Sequence, residues 1–508
     1  MNNPAQAMKM LITYAICIPL AMLTGYLLTE VGSRPDYSTL GFLAFVIALL
    51  VSPIFIKWHY PILIFGLGCP MALFFLPGNP PLSQVVIILS LGIAIVERTL
   101  NAERRFISAP SMVWPMLFIA ATVYMTAKLT GGIGLHSFGG DVGGGRKYIT
   151  LFCSIATYFA ITSRPIPVQQ RGLYIVLFFL SSTPGFVGDL FPYLPSPLNY
   201  INLLFPPSNS GEVSNRFAAI GTTAGAIATF MMAKYGLRGI LMANRPLRTI
   251  LWIAMLGLVL MGGFRSVLVS YSIMFTLLFF MEGLYKTRLF PVLILGAVMF
   301  MVLLVPFANK LPANFQRAIS FLPVNVDAEI RTSAEGSSEW RQLIWRDVWP
   351  QVPQYLLLGK GYALSAEDFS MIGNGQFAGA GVAMDHSQEA LAISGDYHNG
   401  PLSVLMPFGI WGAIGFMWLT LAGLRIVYRN YKYGDPAIVT VNRFILMTYV
   451  TYYFGFFFIF GSFSNDVGFF GKWAGFSIAL NWGVGAPKVQ PVVNQRIKPL
   501  PRPQPLPA

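Results

Sequence analysis

The stretch GDYHNGPLSVLMPFGIWGAIGF, residues 395–416, passes from a polar turn directly into an apolar segment. Gly400 and Pro401 mark the start of a helix, because proline is favoured in the first helical turn. The apolar segment extends over residues 400–424, which is long enough to cross a bilayer, since a crossing takes about 17–25 residues. The stretch therefore predicts a membrane helix that begins just beyond a polar segment, with His398 at the junction.

The composition of the whole chain predicts an all-α polytopic membrane protein. Of its 508 residues, 55% are hydrophobic and 11% are charged, whereas a soluble domain carries about 25% charged residues. The net charge of +14 comes mainly from short connections between apolar runs, which is the pattern of membrane topology. No basic tract is interleaved with aromatic residues, so we expect no nucleic-acid partner.

Apolar runs of spanning length indicate about 12–14 transmembrane helices. These runs lie near residues 8–29, 38–56, 61–77, 82–96, 110–128, 148–163, 172–187, 217–233, 249–263, 266–284, 289–308, 400–424, 441–461 and 468–485. We expect helices 1–11 within residues 1–308, one large loop with short helices at 309–399, further membrane helices at 400–485 and a Pro-rich tail at 486–508. A long loop between membrane helices is usually functional.

The distribution of Lys and Arg predicts the orientation of the chain. With the N-terminus in the cytoplasm, 21 of the 34 Lys and Arg residues fall on the inner side and seven on short outer connections. Long loops do not count in this rule. We therefore expect both termini in the cytoplasm and the loop 309–399 on the outer face. Charged residues gather in this loop and are expected to avoid the apolar runs.

The large loop contains the stretch SSEWRQLIWRDVWPQVPQYLLLGKGY, residues 337–362, which predicts a helix and then a turn. Ser337 or Ser338 can cap the start of the helix, and the two prolines end it. Gly359 and Gly361 then permit a tight turn that residues with side chains resist.

Arg341 projects from the apolar face of this predicted helix, beside Trp345. Burial of an unpaired guanidinium is costly, so Arg341 should meet an anion. That anion is either a ligand or the carboxylate of Glu339 or Asp347, unless the side chain extends to water. A functional role and a structural role both remain open at this point.

His398 stands at the N-terminus of the helix that begins at Gly400. The helix dipole there favours anions and a neutral imidazole, and a neutral imidazole near a phosphate can act as a general base. Alternatively, His398 only caps the turn. His386 is a weaker candidate, and His59 and His136 have no sequence neighbours that suggest chemistry.

Arg265, in MGGFRSVLVSY at residues 261–271, occupies a tight outer turn between two apolar runs. An arginine on the outer side runs against the orientation bias, which indicates either a function or a phospholipid headgroup contact. Two arginines and one histidine at the outer face suit the handling of a lipid diphosphate. Arginine forks bind phosphate oxygens and stabilise a departing diphosphate, and histidine can take the proton of an attacking sugar hydroxyl.

The order of these motifs resembles the O-antigen ligase and O-antigen polymerase superfamily over residues 217–424. An arginine in a tight outer turn is followed by RQLIWRDVWPQVPQYLLLGKGY and then by HNGPLSVLMPFGIWGAIGF. By position, Arg265 matches the turn arginine of the family, Arg341 the arginine at the head of the loop helix, and His398 the essential loop histidine. The family turn usually reads Ser-Arg, where this chain has Phe264 before the arginine.

The resemblance implies a metal-independent, inverting glycosyltransferase without a cofactor. His398 would be the catalytic residue, and Arg265, Arg341, Asn399 and Trp345 would bind substrate. The implied donor is a glycan on undecaprenyl diphosphate, and the acceptor is another glycan, a lipid A-core or a protein. The enzyme would lie among the lipids of the bacterial inner membrane, with its active site on the periplasmic face. Ligation and polymerisation both remain open, although the many helices favour polymerisation.

The alternative from a different class is a transporter or flippase for lipid-linked sugars. Such proteins usually place charged residues and broken helices near the membrane midplane, whereas the charges here gather in one loop. A metal-dependent oligosaccharide transferase would need an acidic pair such as Asp-x-Asp, which the chain lacks. A phosphate-binding P-loop is absent as well, so no nucleotide-driven step is indicated.

Overall fold

The computed structural model describes residues 37–74, 76, 79–101, 103, 105–131, 144–190, 193, 195, 201–206, 217–362, 395 and 397–487. In these residues the longer helices are α1 (Tyr37–Gly66), α2 (Leu82–Leu100), α3 (Pro110–Thr130), α4 (Gly144–Ile161), α5 (Arg171–Phe179), α6 (Phe186–Leu190), α7 (Ile201–Leu204), α8 (Ala218–Leu241), α9 (Pro246–Val259), α10 (Arg265–Met281), α11 (Leu289–Phe307), α12 (Ala313–Ile319), α13 (Ala328–Val348), α14 (Val352–Tyr355), α15 (Gly400–Tyr433), α16 (Val439–Phe458) and α17 (Phe463–Asn481). The described part contains no strand beyond one isolated bridge. The predicted helix at 8–29 and the tail from residue 488 lie outside it.

Five helical segments of the described part are long and apolar enough to cross a membrane. They are α2, α3, α15, α11 with the turn that follows it, and Val168–Leu190, which includes α5 and α6. The shorter helices α9 and α10 are also apolar. The chain is therefore an all-α, multi-pass membrane protein, which confirms the fold class predicted from composition.

One long helix replaces two of the predicted membrane helices. The sequence predicts separate helices at 38–56 and 61–77, but α1 is continuous from the first run into the second, with two prolines inside it. Its middle stays helical because His59 and Tyr60 are fully buried there. The Tyr60 hydroxyl donates to the carbonyl of Ile161 at 2.7 Å. Packing against α4 thus overrides the break that the polar residues suggest.

Glycines bring α17 close to α3 and α4 in the core of the bundle. A Cβ added to Gly471 would lie 2.6 Å from Met116 Cε, and one added to Gly468 would lie 2.8 Å from Ser154 Oγ. Small residues let membrane helices approach each other closely. Ser154 also donates to the carbonyl of Ser464 at 2.9 Å, so this packing fixes the first turn of α17.

The connections predicted on the inner side lie together at one end of the bundle, here called the basic end. Ion pairs there join Arg164 to Glu97, Arg171 to Asp435 and Arg443 to Glu282. The pKa of Asp435 lies below its ordinary value because the backbone N–H of Ala437, and then Arg171, stabilise its carboxylate. These pairs link connections that are far apart in sequence.

The opposite end, here called the loop end, carries α12, α13 and α14. Thr126 Oγ1, near the end of α3, donates to the carbonyl of Leu358 at 3.2 Å. The backbone N–H of Tyr362 donates to the Tyr148 hydroxyl, at the start of α4, at 2.8 Å. The segment after α14 is therefore anchored on the membrane helices.

This segment also fills a break in α15. Gly409 has a left-handed conformation (φ 58) that interrupts the helix, and the N–H of Ile410 donates to the carbonyl of Leu356 at 2.7 Å. Gly359 and Gly361 have φ values of +77 and +71, as the predicted turn requires. Backbone groups released by the break are thus paired with the loop, as membrane helices require.

Candidate functional site

The turn before α10 places Arg265 at the loop end. Gly263 adopts a left-handed conformation (φ 68), which residues with a Cβ resist, and Phe264 then precedes the helix. The half-buried guanidinium of Arg265 donates to the carbonyl of Ala334 at 2.7 Å and to Ser338 Oγ at 3.0 Å. Arg265 is thereby fixed to the middle of α13.

The helix α13 begins earlier than the sequence predicts. The predicted start is Ser337 or Ser338, but the helix begins at Ala328, and the side chain of Asp327 accepts a backbone N–H of the first turn at 3.2 Å. A carboxylate at this position satisfies one of the N–H groups that a helix start leaves unpaired. Ser338 therefore lies inside α13, where it accepts from Arg265.

Arg341 lies one turn beyond Ser338 on α13 and is half-buried. Residues three apart on a helix are neighbours, so the Ser338 hydroxyl that holds Arg265 adjoins the turn that carries Arg341. The side chain of Asp347, one of the alternative partners of Arg341, lies outside the described part. The structure thus brings both predicted arginines to one stretch of α13.

His398 is held between two aromatic rings. Its ring meets Trp340 of α13 edge-on, with centroids 5.7 Å apart, and Phe460, just after α16, at 4.9 Å. Its backbone has a φ of 51, which is uncommon for a residue other than glycine and marks a constrained position. The imidazole is therefore fixed between the loop helix and the membrane helices.

Asn399 caps α15. Its Oδ1 accepts the backbone N–H of Leu402 at 3.1 Å, which is the usual hydrogen bond of a helix N-cap. The capping role that the sequence leaves open for His398 is therefore filled by the next residue. Asn399 has this structural role in addition to its predicted contact with substrate.

Trp345 holds the residue that precedes His398. Its indole N–H donates to the carbonyl of Tyr397 at 2.8 Å. The ring also packs, with Val348, against a buried cluster that includes Tyr397 and Leu402. These contacts give Trp345 a direct part in positioning His398, which the sequence pattern does not indicate.

The helix α13 is thus the element that assembles the site. Ala334 and Ser338 hold Arg265, and Trp340 contacts His398. These three positions span seven residues, or roughly two helical turns and 9 Å along the axis. Arg341 follows directly after them on the same helix, so α13 carries Arg341 and contacts both Arg265 and His398.

Arg317 is a further arginine at this site. It lies on α12, its side chain is buried, and it donates to Ser333 Oγ on α13 at 2.8 Å. Ser333 adjoins Ala334, which accepts from Arg265. Nothing in the sequence distinguishes Arg317 from the other cations of the large loop, because the signal is its burial against α13.

The other histidines do not join the site in the described part. His136 and His386 lie outside the described residues. His59 is buried at the basic end; its Nδ1 lies 2.8 Å from Ser90 Oγ and its Nε2 lies 2.7 Å from Arg164. These partners are distant in sequence, so the residues beside His59 in the chain do not indicate them.

A cavity of about 570 Å³, here called the shaft, extends from this site into the bundle. Its walls come mainly from α8, α10, α16 and α17, and its lining includes Phe264 and Phe460. Phe264 precedes Arg265, and Phe460 touches His398. The shaft therefore begins directly beside the assembled side chains.

Lys472 lines the shaft and contradicts the expectation that charged residues avoid the apolar runs. The orientation count treats it as an outer residue, but it lies within α17. At about 1.5 Å per residue it is roughly 14 Å from the first residue of that helix. A charged side chain inside the helix bundle of a membrane protein usually has a function.

Together these features define a helical membrane protein with basic side chains and a histidine gathered by one loop helix. A family model described as O-antigen ligase matches residues 249–417, a third of the chain. The match includes Arg265, Arg341, Trp345, His398 and Asn399 and confirms the predicted resemblance to the O-antigen ligase and polymerase superfamily. That family is enzymatic and acts in the synthesis of surface polysaccharides. A comparison with curated proteins finds no match.

Proposed function

We propose that the protein is a glycosyltransferase that transfers or polymerises a glycan carried on undecaprenyl diphosphate, at the periplasmic face of the bacterial inner membrane. One observation carries the proposal: α13 contacts both Arg265 and His398 within two turns. A cation for the leaving diphosphate and a base for the acceptor are the two groups that such a transfer needs. The family match supports the class of reaction.

In this proposal Arg265 and Arg341 bind the diphosphate of the donor. Each guanidinium can donate to two phosphate oxygens, and both stabilise the charge that develops as the bond from the sugar to the diphosphate breaks. Arg265 is held by α13 before substrate arrives, so little reorganisation is needed at the moment of reaction. Arg317 adds a further positive charge next to Arg265, since it is held by Ser333, the neighbour of Ala334.

His398 is the proposed general base. The acceptor hydroxyl transfers its proton to the imidazole as its oxygen attacks the anomeric carbon, and the diphosphate leaves from the opposite face with inversion. The edge-on contacts with Trp340 and Phe460 hold the ring in place. These two rings fix the imidazole beside the helix that also holds Arg265.

The periplasmic position of the site is supported by the arrangement of the two ends of the bundle. Arg164, Arg171 and Arg443 lie at the basic end, on connections that the positive-inside rule assigns to the cytoplasm. Arg265 and His398 lie at the loop end. We therefore place residues 309–399 in the periplasm, between the membrane helices of 1–308 and those of 400–485.

Arginines take the place of a metal in the proposed mechanism. The chain lacks an Asp-x-Asp pair, and in the described residues no group of three or more His, Cys, Asp and Glu side chains could hold a metal ion. Charge on the diphosphate is neutralised by guanidinium groups that do not depend on metal supply. We therefore propose that the transfer is metal-independent.

A lipid-linked sugar transporter or flippase is the second candidate. Lys472 inside α17 and the break in α15 at Gly409 are features that transporters share. The break, however, is filled by backbone of the loop, so it does not form an open ion or substrate site. The gathering of His398 and the arginines at one end favours the enzyme.

Reconstitution of the purified full-length protein with a synthetic lipid-linked repeat unit tests the proposal. We expect new glycosidic linkages to form, in the presence of excess chelator, when donor and acceptor are on the loop-end side. Movement of the lipid-linked sugar across the bilayer without any new linkage would instead support the transporter. Accumulation of long chains would indicate a polymerase, and a single transfer to a lipid A-core or a protein would indicate a ligase.

A further inference from the structure

We propose that the shaft is a second binding site, in which Lys472 binds a phosphate group carried by a lipid. The family match ends at residue 417, so Lys472 lies outside it. The inference extends the proposed function to a further contact with a lipid phosphate and rests on it only for the identity of that lipid.

The contacts of Lys472 leave its charge without a balancing carboxylate. In the described part of the chain the Nζ of Lys472 lies 5.8 Å from the centroid of the Phe178 ring, and no acidic side chain pairs with it. A cation–π contact stabilises an ammonium group by less than its removal from water destabilises it. Lys472 is half-buried, and the aromatic contact alone does not compensate for the partial burial of its charge.

Two further donors line the same cavity. Thr451, which is 3% exposed, has a buried hydroxyl, and Trp473 has a buried indole N–H. Neither group has a hydrogen-bond partner in the described residues. Buried donors that are left without an acceptor destabilise the structure. An ammonium, an indole N–H and a hydroxyl are together the donor set that a phosphate group accepts from.

The position of the shaft favours a phosphate attached to a lipid over a free ion. The cavity lies inside the helix bundle, and most of its lining is apolar. Val259 and Tyr271 line both the shaft and a second cavity of about 550 Å³, whose other lining residues are almost all apolar. A mainly apolar cavity that carries a lysine and two further donors, beside a second apolar cavity, matches a ligand that has a charged head and a hydrocarbon chain.

Asp466 is the acidic residue that lines the shaft. It lies six residues before Lys472 on α17, about 9 Å along the helix axis. One of its oxygens accepts the backbone N–H of Ser462 at 2.7 Å, which holds the carboxylate at the start of the helix. The two charges thus mark different depths of the shaft.

Native mass spectrometry of the full-length protein tests the proposal. The probes are farnesyl diphosphate, phosphatidylglycerol and inorganic diphosphate, each titrated without a glycan. We expect Lys472→Met to weaken binding of at least one lipid by about tenfold or more, which is about 1.4 kcal/mol. Lys472→Arg should retain binding. Lys432→Met, an exposed lysine of α15, is the matched control and should bind as the unaltered protein does.

Thr451→Val is a milder variant in case Lys472→Met fails to fold. It should weaken binding of the same lipid by about two- to tenfold, which corresponds to the loss of one hydrogen bond. If the variants lose binding of farnesyl diphosphate, the ligand is an isoprenoid lipid. If they lose binding of phosphatidylglycerol, the ligand is a membrane phospholipid. Unchanged affinity for both lipids, or an equal loss for inorganic diphosphate, would overturn the proposal. Because no transfer is measured, failure of the glycosyltransferase hypothesis would leave this result interpretable.

Discussion

Trp345→Phe separates a positioning role of Trp345 from a contact with substrate. The substitution keeps an aromatic ring in the cluster but removes the indole N–H that donates to the Tyr397 carbonyl at 2.8 Å. Tyr397 is only 6% exposed, so water has little access to replace the lost donor. A buried acceptor without a partner costs about 1–3 kcal/mol.

This cost falls on the segment that holds His398, because His398 follows Tyr397 directly. If all of it appears as misplacement of the imidazole in the transition state, the rate of transfer falls by roughly 5- to 150-fold. The affinity for the donor should change by less than about twofold, since the variant leaves Arg265 and Arg341 in place. Single-turnover transfer at saturating donor gives the rate, and direct measurement of donor binding gives the affinity.

Trp349→Phe is the matched control. Trp349 follows α13 directly, is 55% exposed, and the same change there should leave transfer unaffected. Equal activity of the two variants would show that the hydrogen bond to Tyr397 does not hold His398. A loss of donor affinity with a normal rate would instead show that Trp345 contacts substrate, as the family resemblance implies.

Three further variants or fusions test other parts of the account. Arg265→Ala should nearly abolish transfer at equal levels of inserted protein, whereas Arg265→Lys, which keeps the charge but loses the fork, should retain partial activity; full activity of the alanine variant would remove this residue from the site. A reporter that is active only in the periplasm should be active when fused after Ala334 and inactive after Arg245, and the reverse result would invert the proposed orientation. Gly409→Ala should lower the free energy of unfolding by at least about 1–2 kcal/mol, the cost of a left-handed conformation, because its Cβ would also lie 2.4 Å from a backbone carbonyl oxygen. Gly257→Ala is the control and should leave the free energy of unfolding unchanged, because no atom lies within 4 Å of its added Cβ. Equal thermal stability of the two variants would show that the break in α15 does not require a glycine at position 409.

The main parts of the fold follow from local signals in the sequence. The start of α15 at Gly400 and the turn at Gly359 and Gly361 depend on neighbouring residues, and both are found where the pattern predicts them. The start of α13 is harder to predict from the sequence, because Asp327 and the later serines are all residues that favour the N-cap position. Local capping preferences alone do not decide between two such starts.

The candidate site could be predicted in part. Arg265, Arg341 and His398 are residue types that suit the chemistry, and the structure brings them to one helix. The places of Arg317 beside α13 and of Lys472 in the shaft could not be predicted, because they arise from packing against helices that are distant in sequence. Periodicity shows which face of a helix is apolar, but it does not show which partner covers that face.

The activity of His398→Ala tests the central claim most directly. A positioned base contributes about 10²–10⁴-fold to rate, so turnover should fall by that factor, or about 3–5 kcal/mol in barrier height. Binding of the donor should be nearly unchanged, and His386→Ala, a second histidine of the large loop, should cost far less. Normal turnover of His398→Ala, or a defect confined to donor affinity, would contradict the proposed general base.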